Sequence, residues 1–364
     1  MRAIWLVAVL ATLGACARDV VPAPDPPKAV APLRGASGDS DLRVMLSELA
    51  SSQACAMIRG GFHGLRAAER PEVVTGVLWI RECKITNVGP RVTFTIAGNG
   101  WSWIDETQAK AGGTFAVRQY VRFSIAATIR GELDIAYDRS THVASLWFTP
   151  EKAPEVHFKT IGGIDVDSDG VWSSVVGALG TVFSTSPEEA ALELARTQGT
   201  HDLNAQLANG FAVTIDLCTG LRRVHIGRPR RGEMGVASVG ETRRVFVEVE
   251  PDGVMLNGPQ LAGLGMTLRA TASRGAVKLS VVCANHAATV ASEFMEGRTT
   301  SNVPTLGSVD VRTQARLDIK PTTCPVVVVV SPLEKASARV AWERPTAEIA
   351  GSTGGPMIHC AKRN

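Results

Sequence analysis

The chain has 364 residues, a formal net charge of +3 at pH 7 and 45% hydrophobic residues. This small charge argues against nucleic acid or a strongly acidic partner, and the length fits two domains or one large one. The chain holds seven cysteines, Cys16, Cys55, Cys83, Cys218, Cys283, Cys324 and Cys360.

The first fifteen residues have the order of a secretory signal peptide. Arg2 supplies a positive start, an apolar run follows, and the small residues Gly14 and Ala15 stand directly before Cys16. No other segment reaches the roughly eighteen apolar residues that a spanning helix needs. Residues 1–15 are therefore predicted to be a signal peptide and not a mature membrane helix.

The segment Leu13-Gly14-Ala15-Cys16 resembles the lipobox of bacterial lipoproteins. This resemblance implies cleavage before Cys16, diacylglycerol on its sulfur and a fatty acid on its new amine. Because Ala17 and not an aspartate follows, it also favours the outer membrane, facing the periplasm or the cell surface. The protein is expected to meet the membrane through this lipid, since several acyl chains at about 0.8 kcal/mol per buried methylene anchor a chain stably.

The predicted fold class is α+β and β-rich, with long antiparallel strands, a few helices and two loosely separated domains. Residues 16–40 are predicted to be the lipidated cysteine and a disordered tether, because they are rich in proline, alanine and glycine. Residues 41–217 are expected to form an α+β domain with long strands and a helical block. Residues 218–364 are expected to form a mainly β domain.

The first predicted elements are a helix and two strands. Ser40 can cap a helix whose apolar stripe recurs at three- and four-residue steps and which Gly60 and Gly61 end. Alternating patterns then predict strands over residues 73–83 and 91–97. Turn residues stand between those two strands.

The strongest local pattern lies at residues 121–137. Apolar residues from Val121 to Tyr137 occupy one face of an extended chain, and polar residues such as Arg122 and Asp134 occupy the other. Period-two alternation over this length predicts one long strand, or two consecutive ones, with a buried and a solvated side. Residues 141–149 are expected to return as the hairpin partner.

A helical block is predicted over residues 170–208, where Ser186-Pro187 is a good helix start. The chain after it is predicted to be mostly strand, with one helix at residues 285–295. The predicted strands are residues 211–217, 243–250, 266–271, 276–283, 309–319 and 326–330.

Six cysteines remain after Cys16, and an even number in an exported chain favours disulfides. Six cysteines allow fifteen connectivities. Proximity along the chain favours Cys55 with Cys83, Cys218 with Cys283, and Cys324 with Cys360. None of them has the spacing of a zinc ligand, so no metal is predicted.

Several other clusters are candidates for chemistry. Residues 165–170 match the first half of a calcium loop, but Val176 stands where the bidentate glutamate is needed. A turn into a helix is therefore favoured, with weak calcium binding by the three aspartates as the alternative. Trp101 and Trp103 share one face of a strand and are interpreted as core residues, with a sugar- or membrane-contacting platform as the alternative. The histidines are scattered singly, and no catalytic residue or cofactor is predicted.

Arg222, Arg223, Arg228, Arg230 and Arg231 form an arginine-rich segment. Guanidinium groups pair with phosphate in bidentate geometry, so the segment could contact anionic lipid. A solvated loop is the favoured interpretation.

Two non-catalytic functions remain open, and an enzyme ranks below both. The sequence favours an envelope interaction or scaffold protein with an unknown envelope partner. The alternative is binding or transport of a lipid or another apolar ligand in a sheet-lined cavity. The helix–sheet–helix order before residue 217 is similar to tubular lipid-binding domains, and this resemblance covers about half of the chain.

Overall fold

The architecture is α+β and dominated by long antiparallel strands. A computed structural model describes residues 55, 58–66, 70, 72–88, 91–110, 113–138, 142–152, 154–163, 167–170, 210–218, 221–226, 242–260, 265–298, 302–345 and 348–349. The helix described is α1 (Ala284–Met295). The strands are β1 (Phe62–Arg66), β2 (Val73–Val88), β3 (Arg91–Lys110), β4 (Gly113–Asp138), β5 (Val143–Pro150), β6 (Glu155–Ile161), β7 (Asp167–Gly170), β8 (Phe211–Asp216), β9 (Leu221–Ile226), β10 (Thr242–Val249), β11 (Met255–Gln260), β12 (Met266–Arg274), β13 (Val277–Cys283), β14 (Thr305–Val311), β15 (Gln314–Ile319), β16 (Val326–Pro332), β17 (Ala338–Pro345) and β18 (Glu348–Ile349).

A long antiparallel meander of β2, β3 and β4 dominates the first half of the chain. β3 and β4 pair without interruption from Arg91 opposite Glu132 to Lys110 opposite Gly113. The 26 residues of β4 would extend about 86 Å at about 3.3 Å per residue. No single neighbour covers the far edge of β4: β5, β6 and β7 pair with successive parts of it.

The prediction of a long strand at residues 121–137 is confirmed, and its hairpin partner is β5. Two other expectations need correction. Residues 309–319 do not form one strand but belong to two, β14 and β15. The chain turns at Arg312 and Thr313, because β14 pairs with β13 whereas β15 pairs with β12. Asp167–Gly170 is a short strand against β4 and not a turn, and the helix predicted after it lies outside the described residues. The predicted helices at residues 41–57 and 170–208 lie largely outside the described residues.

The second half of the chain packs two sheet layers face to face. β15, β12, β17 and β10 pair in one layer, and β14, β13, β16 and β11 pair in the other. Leu268 and Val340 of the first layer share one core with Leu279 and Val328 of the second. Helix α1 packs against β11, β13 and β16 as well as β3. The valine run of β16 is therefore covered on both faces, as a continuous apolar strand requires.

Backbone pairing joins the two halves through β1 and β2. β2 pairs in parallel with β10 at Val73 and Val74, and β1 meets β11 at Phe62 opposite Gly258. β8 and β9, on either side of residue 218, are also antiparallel partners. The division into residues 41–217 and 218–364 stays a prediction.

Candidate functional site

One face of the long sheet carries a continuous set of buried apolar side chains, called here the apolar face. Its members come from β1 to β6, and each is between 0% and 9% exposed. The members are Leu65, Leu78, Ile80, Cys83, Val92, Phe94, Ile96, Phe123, Ile125, Ala127, Ile129, Phe148 and Phe158. Apart from the disulfide-bonded Cys83, all are hydrocarbon side chains, so the face offers no charge and no hydrogen-bond donor.

Strand register places these side chains on the same side of the sheet. Ile96 lies opposite Ala127, and Phe94 lies opposite Ile129. Directly paired residues share a face, so the alternation of β3 and the alternation of β4 reinforce each other. The sequence pattern of β4 indicates this face, and the alternation of residues 92, 94 and 96 is the matching signal in β3.

A bulge in β2 completes the face. The register shifts between Ile80 and Glu82, which inserts one extra residue into β2. Ile80 and Cys83 therefore point to the same side although an odd number of residues separates them. A regular strand would have turned Cys83 to the opposite side of the sheet.

Aromatic rings and glycines shape the surface of the apolar face. Phe123 stacks on Phe158 with ring centroids 4.6 Å apart, and Phe94 meets Phe148 edge-on at 4.7 Å. A Cβ atom at Gly100 would lie 2.6 Å from Cζ of Phe123. Glycine at this position therefore lets the Phe123 ring lie across β3, where any side chain would displace it.

A disulfide ties a preceding segment to the apolar face. Cys55 and Cys83 are bonded with their Cα atoms 5.3 Å apart, which confirms that predicted pair. Cys55 and Ile58 pack against the face, and the Arg59 guanidinium donates to the Cys83 carbonyl oxygen at 2.9 Å. The disulfide therefore holds Cys55 and Ile58 against the apolar face.

A polar residue stands on the same side of β4, beyond Phe123. Gln119 pairs with Ile104 across the strands and lies between Val117 and Val121 in the alternation. The two valines are 1% and 4% exposed. The side-chain nitrogen of Gln119 is buried and has no hydrogen-bond partner within the part of the chain that the structure describes. Sequence alternation alone did not single out this residue.

The opposite side of the same strands holds an aromatic cluster against α1. Trp101 is fully buried, and its indole Nε1 donates to the Val254 carbonyl oxygen at 2.7 Å. Its ring lies 4.8 Å from that of Phe294, while Trp103 lies 5.2 Å from Tyr120. The core interpretation of Trp101 is confirmed, and the half-buried Trp103 packs beside it.

Polar contacts secure this aromatic side. The Tyr120 hydroxyl accepts a hydrogen bond from the backbone N–H of Glu250 at 2.8 Å, and burial raises the pKa of Tyr120 above its usual range. The Arg122 guanidinium lies 3.5 Å from the carbonyl oxygens of Phe294 and Met295. A cation at the last carbonyls of a helix is favourable, so these contacts join the long sheet to α1.

The buried carboxylate of Glu248 belongs to a structural ion-pair cluster. Its two oxygens lie 2.6 Å from Arg70 and 3.0 Å from Arg339. The Glu248 side chain is 8% exposed, whereas the two arginines are 44% and 36% exposed. Opposite charges at these distances attract one another, and the arrangement joins residue 70 to the β10–β17 pair.

The predicted pairs Cys218–Cys283 and Cys324–Cys360 are wrong. Cys283 is bonded to Cys324, with Cα atoms 5.7 Å apart. The reason is strand register: Cys283 ends β13 directly opposite Val326, the first residue of β16. Cys324 lies two residues before Val326 and reaches Cys283, although Cys360 is nearer to it in sequence. Cys218 is also disulfide-bonded, and Cys16 and Cys360 lie outside the described residues.

The remaining predicted residues are only partly described. Arg222 and Arg223 lie on β9, and Arg228, Arg230 and Arg231 lie outside the described residues. Among the described residues, no group of three or more His, Cys, Asp or Glu side chains could hold a metal ion. No helix in that part of the chain is long and apolar enough to cross a bilayer.

Comparisons with known proteins show no family for this chain. No protein-family model matches it, and no curated protein matches it. A solved structure of Extended-Synaptotagmin 2 that includes its SMP domain is 9% identical with a TM-score of 0.17. That match covers 84% of this chain and 62% of the other, so this chain spans less than two thirds of its length. Vicilin from Capsicum annuum is 12% identical with a TM-score of 0.11, covering 81% of this chain and 86% of the other. At these scores neither likeness carries an argument.

Proposed function

We propose that this protein is a non-catalytic binder of lipid acyl chains and that the apolar face is its binding surface. The observation that carries the proposal is the chemical uniformity of that face. Thirteen buried side chains from six strands present only hydrocarbon and one disulfide. Ligand sites for apolar molecules are lined mainly by such hydrophobic and aromatic groups.

The dimensions of the apolar face suit an acyl chain. Phe123 and Ile129 mark one stretch of it along β4, and the six residue steps between them span about 20 Å at about 3.3 Å per residue. One acyl chain extends about 15 Å, half of the roughly 30 Å hydrocarbon layer of a bilayer. Each methylene moved from water onto this surface contributes about 0.8 kcal/mol. A single chain along β4 therefore supplies ample binding free energy.

The alternative role, an envelope scaffold, requires only the outward surfaces of the sheets. The long strands and the internal apolar face favour the binder, because a scaffold needs neither. Trp101 and Phe294 fill the opposite side of the same sheet, so the apolar face is the side proposed for ligand, which would replace the groups of the chain that now cover it.

The proposal includes a lipid anchor. The lipobox resemblance at Cys16 supports attachment to the outer membrane, where acyl chains are abundant. Arg222, Arg223, Arg228, Arg230 and Arg231 are proposed to contact anionic lipid there, because guanidinium groups pair with phosphate. Incorporation of labelled palmitate into the wild-type protein, but not into Cys16→Ser, tests the anchor separately from the binding site.

Native mass spectrometry of the exported full chain carrying Cys16→Ser tests the binding function. We expect lipid-sized adducts, and a dansyl-labelled undecanoic acid should bind with increased emission and be displaced by palmitate. A protein that carries no adduct and gives no emission change would contradict the proposal. That result, with capture of an envelope protein, would favour the scaffold.

Two neighbouring alanines provide a matched pair of variants. Ala127 is buried on the apolar face, whereas Ala126 is exposed on the other side of β4. Ala127→Leu should weaken binding of the dansyl probe about tenfold or more, which corresponds to about 1.4 kcal/mol. Ala126→Leu should leave it within about twofold, since the two changes add the same atoms to opposite sides. Equal affinities for the two variants would place the ligand elsewhere.

A further inference from the structure

Gln119 carries a buried polar atom that the fold leaves unused. Its side-chain nitrogen is shielded from solvent and lacks a hydrogen-bond partner among the described residues. Buried polar groups in native proteins are nearly always satisfied, so each exception calls for a specific explanation. The amide nitrogen is a double donor without charge, and its missing partner must therefore be an acceptor.

The surroundings of Gln119 exclude an acceptor from the neighbouring side chains of its own strand. Val117 and Val121, which share its side of β4, are buried hydrocarbon. Ile104, directly opposite on β3, is also hydrocarbon. The adjacent Arg118 lies on the other side, where it pairs with Asp105 at 3.1 Å. Gln119 is therefore an isolated donor on an apolar strip.

This strip continues directly into the apolar face. Val121, Phe123 and Ile125 follow Gln119 at every second residue of β4, and all three are 3–4% exposed. From Gln119 to Ile129 the strip advances ten residue steps, about 33 Å at about 3.3 Å per residue. A molecule with one polar end that replaces the groups covering this strip would place that end at Gln119 and its hydrocarbon toward Ile129.

We infer that Gln119 binds the carbonyl or carboxylate oxygen of an acyl ligand and so sets the direction in which its chain lies on the apolar face. This inference rests on the proposed function and adds the ligand class, which is a fatty acid or an acyl ester. A site whose amide donor is paired with a ligand oxygen discriminates strongly against a hydrocarbon that has no oxygen. With such a hydrocarbon bound, the buried donor stays unpaired.

Two probes separate the role of the amide from that of the hydrocarbon surface. The Cys16→Ser protein and its Gln119→Leu variant, both freed of co-purified lipid, are titrated with dansyl-labelled undecanoic acid and with diphenylhexatriene, which has no oxygen. Gln119→Leu should lower the affinity for the acid about tenfold and leave the affinity for diphenylhexatriene within about twofold. Asn99→Leu, which removes an amide from the other side of β3, should change neither affinity.

Thermal unfolding of the ligand-free proteins separates ligand binding from a structural role of Gln119. If the amide stabilised the fold, Gln119→Leu would lower the melting temperature. Replacing an unsatisfied buried donor by hydrocarbon should leave the melting temperature equal or higher. A lower melting temperature for Gln119→Leu, or unchanged affinity for the acid, would overturn the inference. Gln119→Glu keeps the size of the side chain and removes the amide N–H donors, and it should also lower the affinity for the acid. If the parent protein binds neither probe, the proposed function itself fails.

Discussion

Two buried tryptophans allow the contribution of one hydrogen bond to be measured. Trp101 and Trp342 are 0% and 1% exposed. The indole of Trp101 donates to the Val254 carbonyl oxygen at 2.7 Å, whereas Nε1 of Trp342 has no partner among the described residues. Replacing each by phenylalanine removes the same atoms from an equally buried site, so the transfer and cavity contributions are matched.

The hydrogen bond should make the two substitutions unequal. Trp101→Phe leaves the carbonyl oxygen of Val254, a residue that is 4% exposed, without its donor. An orphaned buried acceptor costs about 1–3 kcal/mol. Trp342→Phe leaves no acceptor without its donor, and it removes an indole N–H that has no partner among the described residues. We therefore expect Trp101→Phe to lower the free energy of unfolding by about 1–3 kcal/mol more than Trp342→Phe does.

Urea unfolding followed by far-ultraviolet circular dichroism measures both losses under oxidising conditions. The comparison is valid when the variants share the same dependence of free energy on urea, because the midpoint then reports stability alone. Equal losses for the two variants, or a larger loss for Trp342→Phe, would refute the reasoning.

Two further predictions concern titration and connectivity. Burial raises the pKa of Tyr120 above the usual value of about 10, so the folded state favours the neutral phenol. The resulting contribution to the free energy of unfolding is complete below about pH 10 and is lost as the pH rises through the folded pKa. In a Tyr137→Phe protein the ultraviolet phenolate band should therefore appear only well above pH 10, and a normal titration would contradict the burial of Tyr120. Peptide mapping without reduction should give a Cys283–Cys324 peptide, and Cys283→Ala with Cys324→Ala should cost about 4 kcal/mol for a separation of 41 residues; a Cys218–Cys283 peptide would contradict the β13–β16 register.

Local patterns predicted much of the apolar face. The alternation through residues 121–131 placed Phe123, Ile125 and Ala127 on one side of a strand, and the structure confirms this. A side-chain period of two is a property of the extended backbone itself. It can therefore be recognised without knowledge of the neighbouring strands.

The role of Gln119 could not be recognised in the same way. A glutamine on an exposed strand and one beside buried valines have the same local sequence pattern. Burial of its amide and the missing partner depend on what packs over Val117 and Val121. The bulge at Ile80 likewise depends on the pairing of β2 with β3.

The sequence by itself determined the β-rich class and the long strand, and it predicts lipid attachment at Cys16. Each of these depends on residues that are close together in the chain or on a repeating pattern. Proximity along the chain favoured the Cys55–Cys83 pair, which the structure confirms, together with two pairs that are wrong. The tertiary structure decided that Cys283 pairs with Cys324 and that β2 lies between two cores. It decided them because strand register brings together residues that are distant in sequence, and no local pattern encodes which strands will meet.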